Sequence, residues 1–200
     1  MRAILVAALL AAGSLGGGSA WADTVEVANV KYETAMDLAG QKLQLNGAGI
    51  RYKAIFKVYT AGLYLTHKVN TTPEVLSTPG PKRIHISMLR EIDGNELGKL
   101  FTKGMEANAP RDEFVKSING VLKLSEVFAT RKALNSGDSF SVDYVPGVGS
   151  TLLLNGKPLL TEPIKEPEFF TALLRIWLGD KPADDALKDA LLGIKRERRR

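Results

Sequence analysis

The chain lacks cysteine altogether and contains only two histidines among its 200 residues. The absence of cysteine excludes disulfide bonds, thiol catalysis, iron–sulfur clusters and covalent haem attachment. Neither His67 nor His85 belongs to a metal-ligand spacing or to a catalytic triad motif. We therefore expect no metal and no cofactor. We also expect His85 on the exposed side of a strand, where it alternates with Arg83 and Ser87.

An excess of basic residues is lacking within the fold itself, although the net charge of the chain is +5. The excess lies in Arg2 and in the tail KRERRR at residues 195–200, so residues 23–194 carry no net charge. A nucleic-acid-binding domain usually carries its basic residues on a folded face, and we predict no nucleic-acid partner. The tail is predicted to be a disordered, solubilising end, with weak attraction to anionic membrane surfaces as the alternative.

No hydrophobic run reaches the roughly 20 residues that cross a bilayer. The longest run, residues 3–15, follows Met1-Arg2 and precedes the A-x-A sequence Ala20-Trp21-Ala22. This pattern is typical of a secretory signal peptide. We predict that residues 1–22 are removed after Ala22 and that the mature protein is exported to a bacterial periplasm without a transmembrane segment. Residues 23–194 are then expected to form one domain.

The residue pattern predicts strands first, then helices, then a hairpin and two further helices. β-branched and aromatic residues predict strands over residues 25–30, 42–45, 50–52, 55–66, 83–89, 140–145, 151–154 and 157–160. Apolar residues at three- and four-residue spacing predict helices over residues 94–107, 111–129, 167–178 and 182–192, with a helical turn at 72–76. Asn155-Gly156 predicts a type I′ hairpin turn. This order favours an α+β fold in which helices back a largely antiparallel sheet.

The most specific chemical suggestion comes from residues 46–65, NGAGIRYKAIFKVYTAGLYL. Arg51 follows Gly47-Ala48-Gly49, which we interpret as a bend with close backbone approach, and Tyr59 follows on the next β-prone segment. A guanidinium and a phenol can hold a carboxylate or an enolate. A straight strand would separate the two residues by roughly 26 Å, so the chain must reverse near residues 52–54. The alternative is an ordinary ion pair between Arg51 and an acidic residue at a strand end.

These residues resemble the chalcone isomerase family, and in particular its bacterial chalcone isomerase-like branch. The similarity is carried by the sequences GAGIR at residues 47–51, FKVYTAGLYL at 56–65, and FF followed by IWLGDKP at 169–170 and 176–182. It extends over nearly all of residues 24–193. The resemblance implies an open-faced α+β sandwich, in which a large antiparallel sheet carries a layer of helices with a ligand cleft between them.

The family contains isomerases that close a flavanone ring and relatives that bind fatty acids. The resemblance places the cleft arginine at Arg51 and the catalytic threonine of the isomerases at Tyr59, or at Thr60 after a shift of one residue. It places the other polar residues of the isomerase site at Phe114, Val121 and Ile176, which are apolar here. Retention of the arginine and loss of these polar groups favour an aliphatic ligand over a polyphenol.

We thus predict an exported protein that binds a fatty acid or a similar amphipathic carboxylate. Arg51 is expected to hold the head group, assisted by Tyr59 or Thr60. The residues expected to line the tail pocket are Phe114, Ile118, Phe170, Leu173, Ile176 and Trp177. Two alternatives remain open. One is an isomerase or intramolecular lyase with Arg51 as its catalytic residue, and the other is a structural or partner-binding protein without a ligand.

Overall fold

The computed structural model describes residues 23–194, so the predicted signal peptide and the basic tail lie outside the described residues. The strands of the described part are β1 (Thr24–Val27), β2 (Val30–Glu33), β3 (Ala35–Leu38), β4 (Gln41–Lys53), β5 (Phe56–Leu65), β6 (Lys82–Met88), β7 (Ile92–Asp93), β8 (Ala133–Leu134), β9 (Ser139–Val145), β10 (Gly149–Leu154) and β11 (Lys157–Pro158). Its helices are α1 (Thr72–Ser77), α2 (Gly94–Asn108), α3 (Arg111–Ala129), α4 (Pro167–Leu178) and α5 (Asp185–Leu191).

Seven of these strands form one antiparallel sheet in the order β11-β10-β9-β6-β5-β4-β3. Helices α2, α3 and α4 pack on one another, and α5 packs on β4. Strands β1 and β2 form a separate hairpin, and β7 pairs with β8. The architecture is the α+β arrangement that the order of elements predicts, with helices backing a large antiparallel sheet.

The two faces of the sheet differ in chemistry because side chains alternate along each strand. On β5, Tyr59, Ala61, Leu63 and Leu65 point into the main core under the helices. Trp177, Phe169 and Phe170 of α4 fill the centre of that core, and each is at most 1% exposed. The opposite face carries Thr60, Gly62 and Tyr64, so a strand such as β5 separates an apolar layer from a more polar one.

The β1–β2 hairpin covers part of the second face, where Tyr32 lies over Gly62. A Cβ atom on Gly62 would come within 2.6 Å of the Tyr32 ring, so glycine is required for this contact. The Tyr32 hydroxyl donates a hydrogen bond to Thr60 at 2.7 Å. The hairpin therefore closes over the sheet through both a ring contact and a buried hydrogen bond.

His85 is not a surface residue, contrary to our expectation, because the Tyr32 ring packs edge-on against it. Its Nδ1 lies 2.7 Å from the Ser141 hydroxyl, and its Nε2 lies 3.2 Å from the Ser87 hydroxyl. Burial, assisted by the charge of Arg83, lowers the pKa of His85 to about 4. The alternation of polar residues correctly predicted the face of the strand on which His85 lies. It gave no indication that the β1–β2 hairpin covers this face.

We predicted a bend at the glycines of β4. The structure instead places them within one continuous strand. A Cβ atom on Gly47 would approach the Ala190 carbonyl oxygen to 1.9 Å, and one on Gly49 would approach the Ala190 Cβ to 2.5 Å. The glycines are thus required by the close packing of α5 on the strand. The irregularity falls at Asn46, where the pairing register shifts between Leu45 and Gly47.

Several boundaries differ from the predicted ones for local reasons. The predicted strand at residues 25–30 is a hairpin, because Ala28 and Asn29 have positive φ and reverse the chain. The segments at 42–45 and 50–52 join into β4, and the last helix begins at Asp185 rather than at 182 because Asp184 caps it. The short strands β3, β7 and β8 were missed, since two to four residues give little periodic signal.

The long amphipathic helices and the second hairpin agree with prediction. Helix α3 has the predicted bounds, and α2 extends one residue beyond the prediction, with the Asp93 side chain capping its first turn. Asn155 and Gly156 have φ values of 50° and 75°, as a type I′ turn requires.

The half-buried His85 predicts a pH-dependent stability. Below pH ~6.5 the unfolded chain binds a proton at His85 that the folded protein takes up only near pH 4. The free energy of unfolding is thus expected to fall between these pH values, by on the order of 2–3 kcal/mol in total. Urea denaturation at pH 7.5 and pH 5 should show this fall, and His85→Gln should reduce it. The exposed His67 gives the control variant His67→Gln, and equal slopes for both variants would contradict the assignment.

The packing of α5 on β4 predicts an energetic coupling between Gly49 and Ala190. Gly49→Ala should lower the free energy of unfolding by roughly 1–3 kcal/mol, because the added methyl overpacks the contact. Ala190→Gly alone should cost up to about 1 kcal/mol. Ala190→Gly removes the methyl group that the new methyl at position 49 would contact. The double variant should therefore lower the free energy of unfolding by less than the sum of the two single variants. Strict additivity in chemical denaturation would show that the two sites do not touch.

Candidate functional site

A cavity of about 280 Å³ lies between one end of the β4–β5 hairpin and helices α2 and α4. It is lined by Arg51, Lys53, Val58, Tyr59, Ile92, Glu96, Leu97, Leu100, Phe101, Lys103, Gly104, Ala107, Asn108, Ile176, Lys181 and Ala183. Apolar side chains form its walls. The lysines at positions 53, 103 and 181 are exposed, so these three ammonium groups lie at the solvent side of the cavity.

The β4–β5 hairpin brings Arg51 and Tyr59 together. The chain reverses at Ala54-Ile55, where Ala54 adopts a φ of 55°. The register then pairs Tyr52 with Lys57 and Arg51 with Tyr59. Val58 is left without a partner and forms a β-bulge, so the neighbouring residues Val58 and Tyr59 both line the cavity. The reversal that the sequence argument required is present, although the turn contains neither glycine nor proline.

Asp184 is the ion-pair partner of Arg51 within the described residues, and the contact is loose. The Arg51 Nη1 lies 3.7 Å from the Asp184 Oδ2. The same carboxylate accepts backbone N–H bonds from Tyr52 at 2.9 Å, Ala186 at 2.8 Å and Leu187 at 3.1 Å. The Asp184 carboxylate thus caps α5 and holds the β4–β5 hairpin through Tyr52. The Arg51 guanidinium, 24% exposed, keeps N–H groups that can meet an anion in the cavity.

Tyr59 presents a neutral phenol to the cavity. Trp177 Nε1 donates a hydrogen bond to the Tyr59 hydroxyl oxygen at 2.8 Å. Burial raises the pKa of Tyr59 to about 12, and the bond from Trp177 and the charge of Arg51 only partly offset that effect. At neutral pH the phenol therefore keeps its proton. In the bond with Trp177 the Tyr59 oxygen is the acceptor, so this bond does not use the hydroxyl proton. That proton can be donated to an acceptor in the cavity.

The end of α2 is tied to the segment that precedes α5. The Asn108 amide donates to the Lys181 carbonyl at 2.9 Å and accepts from the Lys181 backbone N–H at 2.7 Å. Gly104 allows the helix to approach α4, because a Cβ atom there would lie 3.1 Å from Ile176. These contacts fix the distance between the two walls of the cavity.

The structure brings some of the predicted site residues together and separates the others. Arg51, Tyr59 and Ile176 line the cavity, and Trp177 contacts it through Tyr59. Thr60 faces the opposite side of the sheet, where it accepts the hydrogen bond from Tyr32. The alternative placement of the head-group contact at Thr60 is therefore incompatible with this cavity.

The remaining predicted residues belong to the helix layer rather than to the cavity wall. Phe114 is half-buried and Ile118 is 42% exposed, both on α3. Leu173 is fully buried in the main core. Phe170 stacks on Tyr144 and lines a separate hollow of about 230 Å³. Apolar periodicity identified these residues as buried or helical but could not assign them to a particular cavity.

Sequence reasoning missed that α2 forms the main wall of the cavity. Leu97, Leu100 and Phe101 follow the predicted apolar stripe, and the small residues Gly104 and Ala107 continue it. The signal available in the sequence was this change from large to small residues along one face. It indicates a helix that leaves space beside a partner, whereas a uniformly large stripe indicates a filled core.

Residues 23–194 contain no cluster of three or more acidic or histidine side chains placed to hold a metal ion. Over the same residues, no helix combines the length and hydrophobicity needed to cross a membrane. The groups that the lining residues offer include a guanidinium and a phenol beside apolar walls. Such a site can bind a carboxylate, or can stabilise an enolate oxygen.

Comparison with known proteins identifies a family and solved structures of similar fold. The model of the chalcone isomerase-like family matches residues 24–193. A crystal structure of an Arabidopsis thaliana fatty-acid binding protein superposes with a TM-score of 0.63 at 11% sequence identity, covering 85% of this chain and 96% of that chain. The curated proteins give no match. At this identity the structural likeness concerns the fold.

The bond between Trp177 and Tyr59 predicts a measurable cost for Tyr59→Phe. Removal of the hydroxyl leaves the buried Trp177 N–H without an acceptor, and the free energy of unfolding should fall by about 1–3 kcal/mol. The Trp177 emission maximum should shift as its N–H loses the bond. Tyr64→Phe is the matched control, because it removes a phenol on the opposite face of the sheet that makes no hydrogen bond within the described residues. Equal effects of both variants on stability and emission would contradict the assignment.

Proposed function

Because the chain belongs to the chalcone isomerase-like family, we propose that it binds a fatty acid or a similar amphipathic carboxylate in the cavity between the β4–β5 hairpin and α2. The observation that carries this proposal is the pairing of a guanidinium with a neutral phenol against apolar walls. Arg51 supplies the charge and Tyr59 supplies the directed hydrogen bond. The acyl chain contacts Leu97, Phe101 and Ile176.

The electrostatics at Arg51 favour an anionic ligand. Hydrogen bonds between a guanidinium and a carboxylate are charge-assisted and about twice as strong as neutral ones. Asp184 stands 3.7 Å away and is occupied by three backbone N–H groups, so it neutralises Arg51 only in part. A ligand carboxylate in the cavity can approach Arg51 more closely than Asp184 does.

The size of the cavity points to a short or medium acyl chain. Pockets for small molecules usually enclose roughly 300–1,000 Å³, and the volume of about 280 Å³ lies just below this range. A long chain would extend beyond Leu100, which is 46% exposed at the solvent side. We therefore take an acid of about ten carbons as the first ligand to test.

An isomerase that uses the same cavity is the second candidate. Arg51 and Tyr59 can stabilise an enolate oxygen as readily as they bind a carboxylate. The polar groups that the family resemblance assigns to catalysis are absent, since Ile176 forms an apolar wall and Val121 lies in the main core. This loss favours binding over ring closure.

We also propose that the protein acts after export. The charged start, apolar run and A-x-A sequence of residues 1–22 support removal of a signal peptide after Ala22 and a periplasmic location. Residues 195–200 would then remain as a basic tail of the mature protein. The protein would then encounter a fatty acid or related anion in the periplasm or at the membranes that enclose the periplasm.

The proposal predicts opposite effects of two substitutions on carboxylate affinity. Arg51→Ala should weaken decanoate binding by about ten- to a hundredfold, because one charge-assisted contact is lost. Asp184→Asn should strengthen it, because the asparagine Oδ1 still caps α5 while Arg51 loses its charged partner. The Tyr52 N–H loses its acceptor in this variant, so thermal unfolding should be measured beside the affinity to check that the hairpin stays folded. Isothermal titration calorimetry with decanoate, and with decanol as the uncharged ligand, measures both effects. Decanol binding should change little in either variant.

Arg111→Ala is the matched control, because Arg111 is an exposed arginine at the start of α3. Unchanged decanoate affinity in Arg51→Ala would refute the proposed head-group contact. A chalcone turnover assay distinguishes the second candidate function, the isomerase, from carboxylate binding. Turnover that requires Arg51, in a protein that does not bind decanoate, would establish the isomerase instead.

A further inference from the structure

The hollow of about 230 Å³ beside the start of α4 contains a buried lysine. Lys82, the first residue of β6, lines this hollow and is only 6% exposed. Side chains alternate along a strand, so Lys82 shares its face of the sheet with Ile84, Ile86 and Met88, which all belong to the main apolar core. A lysine thus occupies a core-facing position at the end of the strand, and we call the space beside it the Lys82 hollow.

The Lys82 ammonium has no anionic partner within residues 23–194. In this part of the chain it makes neither an ion pair nor a hydrogen bond. Its Nζ lies 5.5 Å from the centre of the Tyr144 ring, and a ring face attracts a cation without neutralising its charge. Burial lowers the pKa of Lys82, as expected for a cation that leaves water without gaining a counter-charge.

The acidic side chains of the neighbouring segments have partners of their own. Asp143 pairs with Arg83 on the opposite face of the sheet, Glu166 accepts from Asn119, Glu168 pairs with Lys116, and Glu74 accepts from Thr71. Burial of a charge is costly unless the charge is paired. The ligand-free protein therefore carries a cost at Lys82 that an anion in the hollow would remove.

The walls of the Lys82 hollow are mainly apolar. Phe170 stacks on Tyr144 with ring centres 5.3 Å apart, and Leu174 continues the same face of α4. The hydroxyls of Thr78 and Thr171 donate to backbone carbonyls within their own segments. Among the residues of the described chain that line the hollow, Lys82 alone carries a charge. A single charged group against apolar walls is the usual composition of a site for a small organic ligand.

We propose that the Lys82 hollow binds a small organic acid, a monocarboxylate with an apolar body, whose carboxylate pairs with the Lys82 ammonium. The charge-assisted bond supplies the missing counter-charge, and the apolar body contacts Phe170 and Leu174. Apolar walls disfavour an inorganic ion such as phosphate, because that ion would lose its hydration without gaining enough donors. One water takes about 30 Å³ of liquid, so about 230 Å³ has room for about eight waters or one acid of the size of phenylacetate.

The Lys82 hollow is separate from the cavity at Arg51. No residue of the described chain lines both spaces. Helix α4 contributes Phe170, Thr171 and Leu174 to the hollow, whereas it contributes Ile176 to the cavity. The proposed site is therefore independent of the carboxylate site of the proposed function, and the two can be tested separately.

Isothermal titration calorimetry with phenylacetate tests the proposal. Arg51→Ala serves as the parent protein, so that the cavity at position 51 offers no guanidinium to the probe. Phenylacetate should bind this parent, and addition of Lys82→Met should weaken the binding at least tenfold, because methionine keeps an apolar stem but cannot pair with a carboxylate. The uncharged analogue 2-phenylethanol should bind both proteins equally. Lys42→Met is the matched control, because Lys42 is an exposed lysine on β4, and it should leave phenylacetate affinity unchanged.

The stability of the ligand-free protein distinguishes a binding lysine from a structural one. Lys82→Met removes a buried charge that has no anionic partner, so the thermal unfolding midpoint should stay the same or rise. Phenylacetate should raise the midpoint of the parent but not that of the Lys82→Met protein. Thr171→Leu gives a second variant that keeps the ammonium and fills part of the hollow. It should weaken phenylacetate binding at least fivefold.

Equal phenylacetate affinity with and without Lys82→Met would overturn the proposal, and so would a parent protein that shows no saturable phenylacetate binding. A lower unfolding midpoint in Lys82→Met with unchanged affinity would also overturn it, because Lys82 would then only hold Tyr144 in place. Decanoate affinity should be the same in the wild type and in the single variant Lys82→Met. Failure at the Lys82 hollow is therefore distinguishable from failure of the proposed function at Arg51.

Discussion

The close packing of α5 on β4 is the contact on which the site depends. Gly47 and Gly49 remove the side chains that would separate the helix from the strand, and Asn46 locks the arrangement by donating to the Leu191 carbonyl at 2.7 Å. With α5 fixed, its cap Asp184 is fixed also. That one carboxylate then holds the Tyr52 backbone and limits the movement of Arg51. A packing requirement in one strand thus sets the position of a charge at the cavity.

The sheet separates two environments with different tasks. The face that packs against the helices is apolar, and the hydrogen bond from Trp177 to Tyr59 is a polar contact within it. The opposite side is held by Tyr32, His85 and the serines around them, together with the close ion pair between Arg83 and Asp143. Since the polar cluster lies on the other face of the sheet, it stabilises the hairpin cover without contributing groups to the cavity.

The sequence was informative about elements whose signal is local and periodic. The bounds of α3 and the Asn155-Gly156 turn could be predicted because amphipathic spacing and turn chemistry act over a few residues. Arg51 and Tyr59 were proposed from the residues of segment 46–65 and again by the family resemblance, and the structure places them side by side. What could not be predicted depends on contacts distant in sequence. His85 is covered by a hairpin more than 50 residues away in the chain, and the two β4 glycines respond to a helix near residue 190.

The bulge at Val58 has a consequence for how such a cavity can diversify. It allows one apolar and one polar residue, adjacent in the chain, to share a wall while the ladder on either side keeps its pairing. Insertion or deletion of a residue at this point would alter the volume beside Tyr59 and leave the other strands in register. A single codon gained or lost in this hairpin is therefore a short evolutionary route between cavities of different volume on an unchanged scaffold.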